Sequence, residues 1–271
     1  MRSGTPPYGE GLRPSQDSRH HRAMSDTANS TPKKSPSVRK AVLLAAGRGT
    51  RMRELTDDLP KPMIPVRGKP ILLHIIEGLK AAGIERFLIV VGYRADVVRD
   101  FFGDGSAFGT SVEYVTQVVQ DGTGRVVDLA RDFTGGDPFI LSYGDILVSP
   151  GNYHRLAAPA PGDEAIISVK RNEDVSKGGA VFVNERFELT DLREKPKPGE
   201  PTSPWYNAGI YTFRPGIFEF TARLERSPRG EYELTDAIRA LAQSGNKVQA
   251  IELEGDWADV RDPEVLAELN R

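Results

Sequence analysis

Two glycines flanked by arginines are the first residues in this chain whose types and spacing suggest chemistry. Residues 43–52 read LLAAGRGTRM, so an apolar run stops at Gly47 and Gly49 with Arg48 and Arg51 set beside them. A glycine turn at the carboxyl end of a strand exposes backbone N–H groups that can cradle phosphate. Chain reversal alone would account for the glycines, but not for the arginines. Ten residues after Arg51, Lys61 stands in LPKPMIPV between prolines that stiffen the loop. Two cations at a glycine turn suit a polyphosphate. A dinucleotide-binding fingerprint would need a third glycine where Met52 stands, and no Walker A loop is present.

Carboxylates supply the second set. Asp145 follows the apolar run of SYGDILV, where a lone carboxylate is costly unless it is exposed or paired with a cation. Far downstream, GDWADV offers Asp256 and Asp259. Two aspartates meeting at one strand edge could hold Mg2+, which takes one or two carboxylates plus substrate phosphates. Each aspartate could equally cap a helix or sit on the surface. His74 falls inside a helical apolar pattern, which favours a packed histidine over a ligand. The pair His20 and His21 has no neighbouring carboxylates and reads as solvated.

The elements that must position these residues follow from the apolar pattern. From Lys40 onward, short apolar runs alternate with amphipathic stretches, the pattern of strand-helix-strand units around a mostly parallel sheet. AVLLAAG is the first strand and PILLHIIEGLKAAG a helix with Pro70 near its start and Gly83 at its end. FLIVVGY, VEYVTQ and PFILSYGD are further strands, with RADVVRDFF and RVVDLARDF as helices between them. AIISV, GGAVFV, FELTDLREK and YNAGIYTF are expected to add strands with an antiparallel portion, and LTDAIRALAQSG and PEVLAELN closing helices. One folded body over residues 38–271 is expected, with residues 38–150 forming one part and residues 151–271 a second.

Composition bounds the class. The chain has 271 residues, 38% hydrophobic and 27% charged, with a formal net charge of -2, which gives no whole-surface reason to bind nucleic acid or an anionic membrane. No apolar run approaches the roughly 20 residues of a membrane helix. The absence of cysteine excludes disulfides and thiolate chemistry and fits a reducing cytoplasm. Residues 1–37, rich in Pro, Ser, Arg and Gly, read as a disordered tail without a secretory signal, and Met24 is an alternative start. Oligomeric state is not legible, and a homo-oligomer is compatible with everything above.

The stretch LLAAGRGTRMRELTDDLPKPMIPVRGKPIL resembles the signature of the sugar-1-phosphate nucleotidyltransferases, the nucleotide-sugar pyrophosphorylases, and the resemblance runs from about Val38 to the C-terminus. It implies a Rossmann-like, mixed but mainly parallel sheet flanked by helices, of the nucleotide-diphospho-sugar transferase type. It implies that Leu44, Ala45, Ala46, Gly47, Gly49 and Thr50 wrap the triphosphate while Arg51 and Lys61 neutralise charge at the reacting phosphates. It implies Asp145 and Asp259 as the Mg2+ pair. TQVVQDGTG resembles the base-reading segment of uridylyltransferases, here Gln117, Gly122 and Thr123, and REKP, YNAG and KGG resemble sugar-phosphate contacts, here Glu194, Lys195, Asn207 and Gly179, with Gly178 and Gly209 beside them. Without the resemblance, a polar strand end and an exposed strand-edge ion pair would serve for these residues. Glu231 and Asp236 in EYELTDAI also look familial, or cap the following helix.

The implied reaction transfers a nucleoside monophosphate from an NTP, with UTP or another pyrimidine nucleotide favoured, to a sugar 1-phosphate, releasing pyrophosphate. A non-sugar acceptor, such as phosphocholine, a cyclitol phosphate or a phosphonate, and a non-catalytic nucleotide-sugar sensor are the alternatives. Arg125 after Gly124, and Arg261 where glycine is common after Asp-Val, depart from the family's usual pattern. The chain's end near Arg271 is expected to leave no room for an appended hexapeptide-repeat domain.

Overall fold

The computed structural model describes residues 38–171 and 173–271; the expected tail, its two histidines and Met24 lie outside them. In chain order the strands are β1 (Lys40–Ala45), β2 (Pro65–Val66), β3 (Lys69–Pro70), β4 (Arg86–Val91), β5 (Ser111–Thr116), β6 (Phe139–Tyr143), β7 (Ile146–Val148), β8 (Asp163–Arg171), β9 (Gly179–Val183), β10 (Leu189–Glu194), β11 (Trp205–Phe213), β12 (Lys247–Glu252) and β13 (Trp257–Asp259). The helices are α1 (Ile71–Ala81), α2 (Ala95–Phe102), α3 (Thr123–Asp128), α4 (Arg131–Thr134), α5 (Gly151–Leu156), α6 (Ile217–Thr221), α7 (Leu234–Gln243) and α8 (Pro263–Leu269).

A nine-stranded sheet runs β10-β9-β11-β6-β1-β4-β5, with β8 on the other edge of β11 and β12 beside β8. Strands β5, β4, β1 and β6 are mutually parallel, while β11 is antiparallel to β6, β8 and β9. Strand β1 shows why its sequence is nearly all apolar. Ala41, Leu43 and Ala45 enter one core with α1 and α2, whereas Val42 enters the opposite core with α3, α6 and α7. Burial on both faces replaces the alternating pattern of a one-sided strand.

Registers set where the loops fall. Ala45 pairs with Val91, Val91 with Thr116, and Leu44 with Tyr143, so the segments after β1, β5 and β6 all leave the sheet at one edge. On β11, Trp205 and Tyr206 pair with β9 and residues 210–213 pair with β6. The register against β8 shifts between Asn207 and Tyr211. β6 and β9 therefore share one edge of β11 and part at this bulge, which opens a gap beside Asn207. Bulges of this kind re-aim side chains next to functional sites.

The structure differs from the sequence reading in several elements. RVVDLARDF is two short helices, α3 and α4, separated at Leu129–Ala130, rather than one. Elements β2, β3, β7, β12, β13, α5 and α6 were not expected. β13 pairs with β7, and α8 returns to the first half of the chain, where the Leu269 carbonyl and the Asn270 side chain accept hydrogen bonds from Arg67.

Candidate active site

A cavity of about 630 Å³ lies where β6 and β9 part. The turn after β1 forms one wall, residues 117–126 another, and β10, β11 and the end of β13 close the far side. Of the residues singled out in the sequence, Leu44, Ala46, Gly47, Gly49, Thr50, Arg51, Lys61, Gln117, Gly122, Thr123, Asp145, Gly179, Glu194, Lys195, Asn207 and Asp259 all line it. Ala45 does not: its side chain is buried in the α1-side core. His74 is a packed residue whose Nε2 lies 2.8 Å from the Val66 carbonyl oxygen.

Local backbone explains much of the first wall. Gly49 has φ +72°, and a Cβ there would lie 2.7 Å from the Cβ of Lys61. Glycine is thus required both by the left-handed turn and by the close approach of the lysine. The Gly49 carbonyl accepts hydrogen bonds from the Met52 N–H at 2.9 Å and the Thr56 hydroxyl at 3.3 Å, which closes the turn onto the 3-10 helix that follows. Arg48 stands over the Tyr93 ring at 5.2 Å, and Arg51 is exposed at the mouth.

Lys61 sits at the centre of the ionic machinery. Its Nζ pairs with Asp145 and lies 3.9 Å from Asp259. Two neighbouring strands bring these carboxylates together, because Ile146 pairs with Asp259 and the Val260 N–H donates to the Asp145 carbonyl at 3.0 Å. Burial, with the adjacent Asp145 charge, pushes the Asp259 carboxyl up to about 6, against the opposing pull of Lys61, Arg261 and Arg51. Burial is thus the main reason Asp259 resists ionising even with Lys61 in place. A carboxylate pair of this kind suits a hard divalent cation that completes its shell with substrate phosphates. No cluster of three or more acidic or histidine ligands occurs among the described residues.

The second wall joins both halves of the chain. Gly122 has φ +118° and abuts the Tyr232 backbone, so that even a methyl group would collide with it. The Thr123 hydroxyl, at the start of α3, accepts a 3.4 Å hydrogen bond from the Leu234 N–H and so caps α7 from a distant part of the chain. Neither Glu231 nor Asp236 caps that helix; Glu231 lines the cavity and Asp236 lies in the first turn of α7.

At the far end, Asn207 exchanges a 2.8 Å hydrogen bond with the Tyr211 hydroxyl, and the Trp257 indole N–H donates to the Ala208 carbonyl at 3.1 Å, tying β13 to the bulge. Glu194 faces Arg229 at 3.4 Å and Lys195 at 4.0 Å. Arg229 also pairs with Glu231 at 3.4 Å and Glu233 at 3.2 Å. Burial foremost, and the Glu233 charge next, push Glu194 up to about 7, with Lys195, Arg229 and Thr235 pulling the other way.

Comparison with known proteins decides the family. A sequence profile described as nucleotidyl transferase matches residues 40–271. This chain belongs to the nucleotidyl transferase family. Its mixed, mainly parallel sheet flanked by helices is the fold of the nucleotide-diphospho-sugar transferases. The chain is 34% identical over 234 residues to the low-salt glycan biosynthesis nucleotidyltransferase Agl11 of Haloferax volcanii, covering 86% of this chain and 65% of Agl11. It is 35% identical over 228 residues to the UTP–glucose-1-phosphate uridylyltransferase AglF of the same organism, covering 83% of this chain and 92% of AglF. The chain thus spans less than two thirds of the length of several curated relatives, Agl11 among them. A solved UDP-glucose pyrophosphorylase complexed with UDP-glucose superposes with a TM-score of 0.78 at 25% identity, covering 86% of this chain and 97% of that one.

Within this nucleotidyl transferase, sequence reasoning missed several cavity residues: Gln120, Tyr143, Lys177, Tyr206, Arg229 and Glu233. Gln120 Nε2 donates to the Ala46 carbonyl at 3.3 Å, bridging the first two walls. Arg229 had a signal in RGEYE, a cation next to carboxylates. Tyr206 and Tyr143 had none, because only the bulge and the parting of β6 from β9 bring strand residues into the cavity.

Proposed function

We propose that this cavity catalyses transfer of a nucleoside monophosphate from an NTP to a sugar 1-phosphate, releasing pyrophosphate and yielding an NDP-sugar, with a pyrimidine nucleotide favoured. The observation that carries this reading is the convergence of Lys61 on both Asp145 and Asp259 beside the glycine turn. Cations and carboxylates meet where a triphosphate would lie.

In this reading the backbone of residues 44–50 holds the triphosphate, and Arg51 and Lys61 neutralise its charge. Gln117, Gly122 and Thr123 form the base end. Asn207, Glu194 and Gly179 hold the hydroxylated acceptor, Glu194 accepting hydroxyl protons, and Lys195 meets its phosphate. An acceptor phosphate oxygen attacks the α-phosphate, and the bond to the pyrophosphate leaving group breaks. No covalent intermediate with the protein is needed. Asp145 and Asp259 would hold Mg2+, which supplies charge neutralisation at the phosphates. Positioning and preorganised charge then carry the rate. Residues 38–150 are the nucleotide-binding part and residues 151–271 supply the acceptor end together with the returning Asp259. No helix among the described residues is long and apolar enough to cross a membrane, in keeping with a cytoplasmic enzyme acting on soluble substrates.

The test is a matrix of nucleoside triphosphates against sugar 1-phosphates, with phosphocholine and a cyclitol phosphate included, scored for pyrophosphate in the presence of Mg2+. Release with a sugar 1-phosphate and a pyrimidine nucleotide is expected. Turnover confined to the non-sugar acceptors would replace the acceptor class, and nucleotide-sugar binding without any turnover would replace catalysis with sensing.

A further inference from the structure

The cations of the cavity differ in how fully they are matched. Lys61 has two carboxylates and Arg229 three. Arg261, which also lines the cavity, is matched more loosely than either. Its backbone N–H donates to the Asp259 carbonyl at 2.7 Å, which fixes the residue immediately beyond the carboxylate pair. Its side chain is only 22% exposed, yet its one ion pair among the described residues is a loose 3.9 Å approach to Asp262. Asp262 is already engaged, accepting the Val265 N–H at 3.0 Å as the N-cap of α8. A guanidinium carries five donors, and among the described residues the Arg261 side chain forms no hydrogen bond within the protein. A part-exposed guanidinium without a partner in the protein keeps its donors free for an arriving acceptor. The group is therefore poised for an acceptor that the protein does not itself supply.

Position says which one. Arg261 lies two residues beyond Asp259 at the end of β13, and β13 is tied to β11 beside Asn207, where the Trp257 indole donates to the Ala208 carbonyl at 3.1 Å and its ring packs 5.5 Å from that of Tyr206. Arg48 and Arg51, by contrast, belong to the glycine turn. Arg261 thus stands between the carboxylate pair and the acceptor end.

We propose that Arg261 binds the phosphate of the acceptor, acting with Lys195 to hold the attacking group against the α-phosphate. This rests on the acceptor assignment proposed above. A planar fork gripping two non-attacking oxygens fixes a phosphate's rotation as well as its position, which an ammonium does not. The same oxygens satisfy donors that the fold leaves unused.

Steady-state pyrophosphate release by Arg261→Ala and Arg261→Lys tests it. For Arg261→Ala the KM for glucose 1-phosphate should rise about tenfold to a hundredfold, the loss of a charge-assisted pair, while the KM for the nucleotide stays near wild type. Arg261→Lys should recover part of the loss. An unchanged acceptor KM would overturn the proposal, and so would a shifted Mg2+ requirement with an unchanged acceptor KM, which would make Arg261 only a counter-ion for Asp259. A parallel titration of the intact proteins with inorganic phosphate keeps the two readings separate. Should the wild type turn over no substrate pair, nucleotidyl transfer fails, whereas the Arg261 assignment still requires phosphate to bind about tenfold more weakly to Arg261→Ala. Equal phosphate binding by the two proteins would sink the assignment.

Discussion

Two ionic clusters occupy opposite ends of one cavity, and they resolve the same problem differently. Around Lys61, two carboxylates share one cation; around Arg229 and Lys195, three carboxylates share two cations. Both are over-supplied with negative charge, and each holds one carboxyl well above its ordinary range, Asp259 at about 6 and Glu194 at about 7. The first pair comes from the residue before β7 and from the end of β13, and both carboxylates face Lys61. The second is spread over β10 and the segment before α7. In the proposed reading Mg2+ would relieve the first excess and a proton relieves the second, and backbone placement makes the difference.

The largest effect that can break this comparison comes from Lys61→Ala and Asp145→Asn. Each should lower pyrophosphate release about a hundredfold or more, as loss of a preorganised electrostatic group does elsewhere. Lys61→Ala should also lower Tm without metal, because two part-buried carboxylates lose their shared counter-ion. Added Mg2+ should then raise its Tm by more than it raises that of the wild type. Arg229→Ala should show no such rescue. Equal rescue of both variants, followed by differential scanning fluorimetry, would erase the distinction between the clusters.

Gly49→Ala ranks next. The new Cβ would sit 2.7 Å from the Lys61 Cβ at φ +72°, so the turn or the lysine must move. A shift of this size at a positioning residue is expected to cut turnover about tenfold or more, with a stability loss of about 1–2 kcal/mol from the strained backbone. Crystals of the variant in which Lys61 still contacted Asp145 would show that the glycine serves the turn alone.

The glycine-turn end of the cavity was the more legible in the sequence, for a physical reason. Parallel strands buried on both faces announce themselves as continuous apolar runs, and their registers deliver every following loop to one edge, so the glycine turn and Asp145 could be placed at a strand end from pattern, while Gln117 was singled out by the family resemblance. Asp259 and the far-end residues could not: bringing Asp259 beside Asp145 needs β13, three residues long, to pair with β7, and neither strand has enough apolar repeat to be seen. Asn207 reaches the cavity through a bulge that no spacing reveals. The single helix expected over RVVDLARDF fails at Leu129–Ala130, where the chain turns so that Val126, Val127, Ala130 and Phe133 all enter one core.

A smaller effect separates the clusters by pH. Glu194 is held at about 7 against an ordinary 4.5, mainly by burial. Between those values the unfolded chain ionises while the folded one keeps its proton, so the protonated carboxyl's contribution to stability is complete below about pH 4.5 and is lost as pH rises through 7. Glu194→Gln, which cannot ionise, should therefore be more stable than wild type at pH 8 and equal to it at pH 4.5, seen as converging Tm values. Function runs the opposite way. If the ionised carboxylate accepts acceptor hydroxyls, the wild-type KM for the sugar 1-phosphate should rise several-fold as pH falls from 8 to 6, and the Gln variant should be weak and flat throughout. A wild-type profile equally flat would remove Glu194 from acceptor binding.

The smallest effect sharpens that one. Arg229 lowers the Glu194 value, but behind Lys195 among the opposing groups and against the larger contribution of burial. With Arg229 side-chain exposure at 38%, solvent screens part of its charge. Arg229→Gln should accordingly move the midpoint of the acceptor-KM profile upward only modestly, while Lys195→Gln should move it further. The order matters more than the size. A larger shift from Arg229→Gln would mean that the arginine, with Glu231 and Glu233 freed at the same time, governs the far cluster as Lys61 governs the near one. The two ends would then differ only in which carboxylates the backbone has brought within reach of a shared ion.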